Sequence, residues 1–408
     1  MVIKFVNITL SSLQSSKYNG AMKKSVYFDY HATTPVDPKV MEAMLPYFTE
    51  QFGNAASQHP WGWGATEAVE KARQQVAKCI SAKPEEIVFT GGATEASHLA
   101  LVGLFDQYGD QAQHLITTNT EHKSILAICE RLVERGAELT VLEADSEGRV
   151  STEQVRAAIK KNTLFVSVIH SNNEIGSINP IKEIAEVCQE NHVFFHTDAV
   201  QAIGKVEFSL EEIPADLVSL TAHKFYGPKG TGVLFIRDKK PKMQLKPYLV
   251  GGGHEAGRRS GTLNVPGIVG LGEAIAMASH NLAIESKNIS DLRAKLLEQI
   301  TDVCKLMKVE FIINGPKDLN NKLPNNLSLS FKNIDGAKLK SGMRLVAFST
   351  GSACSTASAS PSHVLTAIGL DKSLANSTIR LSTGRFTNDE DIENFMAYFK
   401  LALKGALL

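Results

Sequence analysis

Between residues 87 and 236, short apolar runs alternate with stretches whose apolar residues recur at helical spacing. The runs at 87–90, 114–117, 139–142, 164–170, 193–196, 217–221 and 233–236 predict seven strands. The intervening patterns predict a helix from 94 and helices over 123–135, 152–160 and 181–191. Strands alternating with helices of this length predict an α/β fold with a largely parallel sheet covered on both faces. In such sheets a ligand gathers beyond the carboxyl ends of the strands. Upstream lie a short strand-like run at 26–29, a helical pattern over 38–48, a loop over 53–64 and helical spacing over 65–80.

The texture changes at Pro266. A long helical stretch over 268–303 precedes short strands at 309–313, 327–331, 346–349 and 378–381, and a last helix over 389–403. This predicts a small α+β domain. The expected division is an extension over 1–24, an N-terminal segment over 25–38, a large domain over 39–265 and a small domain over 266–408.

Composition narrows the class. Hydrophobic residues make up 43% and charged ones 21% of 408 residues, an ordinary globular balance. Lys+Arg and Asp+Glu stand at 43 each, so charge gives no argument for a nucleic acid or a membrane surface as partner. No apolar run approaches the roughly 18 to 20 residues of a membrane span. The five cysteines are scattered and unpaired in spacing. They suit a reducing compartment, which predicts a cytoplasmic protein, rather than a disulfide framework or a permanent metal site. Residues 1–24 carry lysines and serines but no Asp or Glu. They lack the arginines of a transit peptide and a long apolar core, and are expected to be a disordered extension or an upstream start, with Met22 the usual beginning.

Candidate chemistry sits where the sheet predicts it. Lys224 follows the strand at 217–221, in a loop bounded by Gly227-Pro228 and Gly230. A lysine there can hold an aldehyde cofactor covalently, or be an ordinary surface lysine beside a turn. Gly91-Gly92-Ala93-Thr94-Glu95 follows a strand and opens a helix, which makes either a phosphate seat or a plain capped turn. Asp198 ends an apolar run, where a carboxylate is costly unless paired. It can face a pyridinium nitrogen or cap the next segment, and Gln201 lies one turn on. His122, in Thr-Glu-His, can stack on a planar ring or serve structure alone. Asn172-Asn173-Glu174 follows the strand run 164–170.

Together, Asp-x-x-Gln at 198–201 and Thr-x-His-Lys at 221–224, preceded by Gly-Ala-Thr-Glu, Thr-Glu-His and Asn-Asn-Glu-Ile-Gly, resemble the fold type I enzymes that use pyridoxal 5'-phosphate (PLP). More narrowly the chain resembles cysteine desulfurases of the nitrogen-fixation and iron–sulfur assembly type, in the class V aminotransferase family, from about 26 to 403. The resemblance implies that Lys224 binds PLP covalently and shuttles protons, Asp198 pairs with the pyridine nitrogen, Gln201 with the phenolic oxygen, and His122 stacks on the ring. It assigns the phosphate to Ala93, Thr94, Thr221 and His223, with Thr262 reaching the phosphate of a neighbouring subunit in a homodimer. Asn173 would contact cofactor and substrate, and Arg380 would clamp the substrate carboxylate, a task that suits a guanidinium fork.

One segment remains. Residues 350–361, Thr-Gly-Ser-Ala-Cys-Ser-Thr-Ala-Ser-Ala-Ser-Pro, are too small and hydroxylated to build a core and are expected to be exposed and mobile. Cys354 is therefore available as a nucleophile, whereas Cys129 and Cys188 sit at helical positions that suggest buried filler. The segment is similar to the long catalytic-cysteine loop of the desulfurases. That likeness implies conversion of L-cysteine to L-alanine, with a persulfide on Cys354 that passes to an acceptor protein. The acceptor stays open between an iron–sulfur scaffold, a tRNA-thiolation relay and a DNA-sulfur-modification system, because the chain ends soon after its last predicted helix. So does transient ligation of a [2Fe–2S] cluster by Cys354. A selenocysteine lyase or another enzyme of the same fold is the alternative, and a non-catalytic scaffold would have lost Lys224, Asp198 or Cys354. The sequence departs from the family pattern at His31, where serine or asparagine is common, and at His98, where asparagine is usual. Neither position is expected to carry the core chemistry.

Overall fold

The structure, a computed structural model, describes residues 24–239, 243–350 and 361–407. It opens with β1 (Val26–Tyr27) and α1 (Pro38–Met44). Asp37 caps α1 by accepting from the Lys39 amide, and Pro38 sits in the first turn, where a missing N–H costs nothing. The helix expected over 38–48 breaks before Pro46, which cannot continue the ladder, and a one-turn α2 (Pro46–Thr49) follows. Next, α3 (Pro60–Cys79) begins ahead of its apolar pattern because His59 Nδ1 caps the Gly62 amide.

The large sheet and its helices come next: β2 (Ile87–Thr90), α4 (Ala93–Tyr108), β3 (His114–Thr118), α5 (Lys123–Glu134), β4 (Glu138–Leu142) and α6 (Thr152–Ala158). They continue as β5 (Thr163–Ser167), α7 (Ile181–Glu190), β6 (Phe194–Asp198), β7 (Leu217–Thr221) and β8 (Gly232–Ile236). The seven strands lie in the order β2-β8-β7-β6-β5-β3-β4. Only β8 runs antiparallel to its neighbours, so the sheet is mostly parallel, as expected. Successive strand residues point to opposite faces. Phe89, Ile116, Val166 and Val233 join the core that contains Val76 of α3 and Ile184 of α7. Val88, Leu115, Leu217 and Leu234 join the core with Leu101 of α4 and Ile128 of α5. Burial on both faces is why these strands read as apolar throughout. The strand expected over 164–170 ends at Ser167, although the Val168 and His170 amides still donate to the His196 and Asp198 carbonyls.

The single helix expected over 268–303 is two, α8 (Val265–His280) and α9 (Leu282–Met307), bent by 76° at Asn281. No proline or glycine marks the bend, because each half keeps its own apolar stripe for a different core. α8 lies on α3, where a Cβ at Gly272 would sit 2.8 Å from the Ala72 Cα. Leu296, Ile300 and Val303 of α9 belong to the core of the small domain. The change of texture at Pro266 thus marks the start of α8, and the change of core falls at Asn281.

The small domain contains β9 (Phe311–Ile313), β10 (Asn326–Phe331), α10 (Gly336–Gly342), β11 (Val346–Ala347) and β12 (Ser349–Thr350). It ends with α11 (His363–Ala367), α12 (Lys372–Asn376), β13 (Thr378–Ser382) and α13 (Asp389–Ala406). An antiparallel sheet has the order β12-β13-β10-β9, while β1 pairs with β11. The strand expected over 346–349 therefore divides to serve two sheets. Among the described residues no single helix is long and apolar enough to cross a membrane.

At the centre of the small-domain core, Phe395 stacks on Phe399 at 5.6 Å and meets Phe28 edge-on at 5.3 Å. Because Phe28 comes from the N-terminal segment, this cluster fastens that segment to the small domain. Phe395→Ala should destabilise the protein by about 3–5 kcal/mol, the usual cost of emptying a buried aromatic site. A shift in the denaturant midpoint worth less than about 1 kcal/mol would show that the cluster does not hold the two together.

Candidate active site

The carboxyl ends of the central strands surround a cavity of about 850 Å³. Past β2 the chain turns through Gly91 and Gly92 into α4, whose first amides have no intrahelical acceptor. β8 runs so close beneath this turn that a Cβ at Gly232 would lie 2.6 Å from the Gly92 backbone. The Glu95 carboxylate is held off the helix start, accepting from the Gly91 amide and pairing with Arg259 at 2.7 Å. The helix end is thus left to an external anion. Thr221 and His223 complete this wall. Thr221 Oγ1 donates to the Thr231 carbonyl at 3.0 Å, and His223 Nδ1 lies 3.1 Å from Thr33 Oγ1. Burial, with Lys224 and Lys229 nearby, pushes the His223 imidazole down to about 4, so it is neutral.

The other walls carry the titratable groups. Asp198 is the last residue of β6 and is buried, with Oδ1 accepting from the Val200 amide at 3.0 Å. Burial raises its pKa, while His122, that amide and Lys224 pull the other way. His122 caps α5, taking the Ser124 amide on Nδ1. Burial lowers its pKa against the pull of Asp198. Lys224 ends the short turn after β7, and its Nζ donates to the His31 and Ala32 carbonyls at 2.6 and 2.7 Å. Burial and then the charge of Arg380 push this amine down to about 8, against Asp198 and Asp29. Gln201 lines the cavity with its amide on His31: Nε2 donates to the His31 carbonyl at 3.0 Å, and Oε1 lies 3.1 Å from His31 Nδ1.

A second cavity of about 280 Å³ adjoins the first and shares Ala32, His122, Asn173 and Lys224 with it. Arg380 on β13 borders it, donating to the Asn173 carbonyl at 2.8 Å, to Asp29 Oδ1 at 2.8 Å and to Ser349 Oγ at 2.7 Å. Its buried Nε has no partner.

Apart from Thr262, every cofactor-site residue expected from the sequence lines the larger cavity, and Arg380 lines the smaller one. Thr262 is exposed and lines neither. Cys354 lies outside the described residues. The four described cysteines are free thiols, and none lines either cavity. Cys129 and Cys188 are buried, as their helical positions suggested, and burial pushes both up to about 12. Among the described residues no cluster of His, Cys, Asp and Glu could hold a metal ion.

Sequence reasoning missed four residues here. His31 is buried beside Lys224, and its departure from the family pattern was the signal that marked it. Glu121 is fully buried next to His122, with Oε1 accepting from the Ile169 amide at 2.7 Å. Asp29 pairs with Arg380, and the buried Lys205 donates to the Lys224 carbonyl at 3.2 Å. The last three carried no signal, since each acts through a contact that exists only after folding.

Comparison with known proteins agrees with this geometry. The model of the aminotransferase class-V family matches residues 26–395. Cysteine desulfurase IscS of Anaeromyxobacter dehalogenans is 47% identical over 379 residues, covering 93% of this chain and 92% of the relative. A solved NifS-like protein superposes with a TM-score of 0.85 at 36% identity, covering 93% of this chain and 99% of its own. A structure described as SspA in complex with cysteine gives 0.79 at 36% identity, covering 89% and 100%. The chain belongs to the class-V aminotransferases and, within them, to the PLP-dependent cysteine desulfurases.

Proposed function

We propose that this enzyme takes sulfur from L-cysteine, releases L-alanine and collects the sulfur as a persulfide on Cys354 for an acceptor protein. The observation that carries this reading is the convergence of an amine, a carboxylate and an anion seat on one cavity that opens beside a buried arginine. The donor set fits PLP. The α4 amides with Thr94, Thr221 and His223 offer a seat for its phosphate, and Gly232 leaves the room that seat needs. Asp198 is a buried carboxylate with no ion-pair partner among the described residues, which a pyridinium nitrogen would supply. His122 offers a ring face, the second amide N–H of Gln201 a donor, and Lys224 the amine that binds the aldehyde. When bound, PLP supplies an electron sink for the substrate's α-carbon.

The chain's own groups do the rest. Arg380 holds the substrate carboxylate, with Asn173 fixing the guanidinium from behind. Lys224, part neutral near pH 7, takes the α-proton and later returns one to carbon. The Cys354 thiolate forms a bond to the substrate Sγ. The Cβ–Sγ bond breaks with its electron pair on carbon, which is protonated to the methyl group of alanine. The persulfide on Cys354 is a reversible sulfur cap, ready for transfer. Iron–sulfur cluster assembly is the proposed destination, supported by the likeness to IscS. A homodimer is proposed as well: Thr262 is exposed and away from this chain's cavities, as a residue serving a partner's phosphate would be. The free described cysteines support a cytoplasmic setting.

Two outcomes test the reading. The purified holoenzyme should be yellow, and borohydride should fix the cofactor to Lys224. Cys354→Ala should keep the colour and lose sulfide release from L-cysteine, and full turnover in that variant would remove Cys354 from the reaction. The second test concerns pH. With its pKa near 8 rather than 10.5, about one Lys224 in ten is neutral at pH 7, roughly 300-fold more than for an ordinary lysine. Only the neutral amine attacks an aldehyde, so PLP uptake by the cofactor-free protein should accelerate with pH and reach half its plateau near pH 8. Asp198→Asn removes a charge that holds the pKa up and should move that midpoint lower. A midpoint above pH 10 would show that the amine is not desolvated as described.

A further inference from the structure

On the sheet face that packs on α4, four buried polar side chains form one continuous chain. Ser167 Oγ of β5 lies 2.8 Å from His196 Nδ1 of β6, and Ser219 Oγ of β7 lies 2.9 Å from His196 Nε2. Ser97 Oγ of α4 then donates to Ser219 Oγ at 3.0 Å. All four side chains are buried. They alternate along their strands with Val166, Phe195 and Val218, which point into the opposite core. The Ser219 hydroxyl takes a proton from Ser97, and its own has no partner among the described residues but Nε2. The ring proton therefore sits on Nδ1 and is donated to Ser167. Burial pushes the imidazole down to about 4 pH units below ordinary, to about 3, so the ring is neutral. Apolar side chains would fill these positions without giving up water. A fully satisfied polar network fixes instead a single arrangement of the elements that it joins.

What it joins is the cofactor site. His196 and Asp198 are alternate residues of β6 and share a face. Ser219 stands directly opposite Asp198 in the pairing of β6 with β7, and Ser167 opposite His196 in that of β5 with β6. β7 leads straight into the turn that carries Lys224, and Ser97 lies just inside the helix whose first amides form the anion seat. We propose that His196 is a positioning residue for the cofactor: through Ser219 and Ser97 it keeps the Asp198 carboxylate, the Lys224 turn and the phosphate seat at one spacing. The proposal rests on reading Asp198 and the start of α4 as the groups that meet PLP. His196 touches neither cofactor nor substrate and acts only through the elements it ties together.

The test cuts the chain at different links. An asparagine amide reaches the place of Nδ1 and keeps the bond to Ser167, whereas a glutamine amide reaches the place of Nε2 and keeps Ser219. Each variant loses one buried hydrogen bond, so a purely structural role predicts equal effects. PLP should instead bind about tenfold more weakly to His196→Asn and to Ser219→Ala, and within about threefold of wild type to His196→Gln. The yellow band of the first two holoenzymes should shift, as Asp198 moves against the ring, while His196→Gln keeps the wild-type band. In those two, kcat for L-cysteine should fall while KM changes less than about twofold, because Arg380 is untouched. Ser219→Ala removes a single oxygen and decides the matter if the His196 variants do not fold. A wild-type band and PLP affinity in Ser219→Ala, or losses that follow the denaturant midpoint equally in His196→Asn and His196→Gln, overturn the role of His196 alone. An Asp198→Asn holoenzyme with unchanged band and PLP affinity overturns the reading of the site beneath it.

Discussion

The site depends on where one lysine amine is held. Lys224 Nζ rests on two backbone carbonyls, of His31 and Ala32, rather than on a carboxylate. Carbonyls accept from the amine whether it is charged or neutral, whereas a carboxylate would favour the charged form and raise its pKa. The choice of partner is therefore part of the amine's reactivity. It also makes the N-terminal segment indispensable, because residues 31 and 32 form a turn that belongs to no helix or strand. They are held by what flanks them. β1 pairs with β11 of the small domain, the Thr34 amide donates to the His223 carbonyl, and the His31 amide donates to Ser382 Oγ. The segment runs between the two domains and takes its position from both.

Charge around the amine is arranged to keep it near its working range. Arg380 and the buried Lys205 bring positive charge to the region, while Asp198 and Asp29 oppose it for Lys224. Asp29 has a second task, since its Oδ1 accepts from both Arg380 Nη2 and Ser349 Oγ. One carboxylate thereby tethers the guanidinium, tempers the lysine and joins the N-terminal segment to β12. Burial makes each of these contacts count for more than it would at a surface, because water no longer screens them. The same burial drives the Lys205 amine down to about 7 and the Glu121 carboxyl up to about 8. Near neutral pH neither group is pressed to carry a full charge.

The parts of this arrangement that the sequence exposed are those fixed by residue type at the end of a strand. Asp198 and Lys224 follow apolar runs, and the Gly-Gly turn follows another, so the parallel sheet alone brings them to one edge. Six of the seven strands were legible because burial on both faces makes them mainly apolar runs, and the more exposed edge strand β4 because its Leu139, Val141 and Leu142 keep the run apolar. What stayed hidden depends on tertiary contact. The Asn281 bend leaves no breaker in the sequence, since α8 and α9 are each apolar enough to look continuous. Asp29, Glu121 and Lys205 look like any charged residue beside a turn, and only folding buries the last two and pairs the first with Arg380. Gln201 was read as a donor to the cofactor, and its amide is found first of all orienting His31.

The turn after Lys224 shows how the two domains are made to agree on this geometry. Tyr226 has φ of 67°, a left-handed conformation that costs a residue with a side chain on the order of 1–3 kcal/mol. Contacts from two parts of the chain, the N-terminal segment and the loop after β13, hold it there. Its carbonyl accepts from the Asp37 amide, its amide donates to Thr34 Oγ1 at 2.8 Å, and its hydroxyl accepts from the Arg385 amide at 2.6 Å. The Arg385 guanidinium lies 4.2 Å from the ring centre while pairing with Asp37 and Glu285. Arg385 follows β13, the strand that carries Arg380, and Glu285 belongs to α9 of the small domain. The strained turn beside the lysine and the strand bearing the carboxylate clamp thus share one half-buried arginine. A displacement of either would break contacts at the other, which keeps amine and clamp at a fixed separation without either touching the other directly.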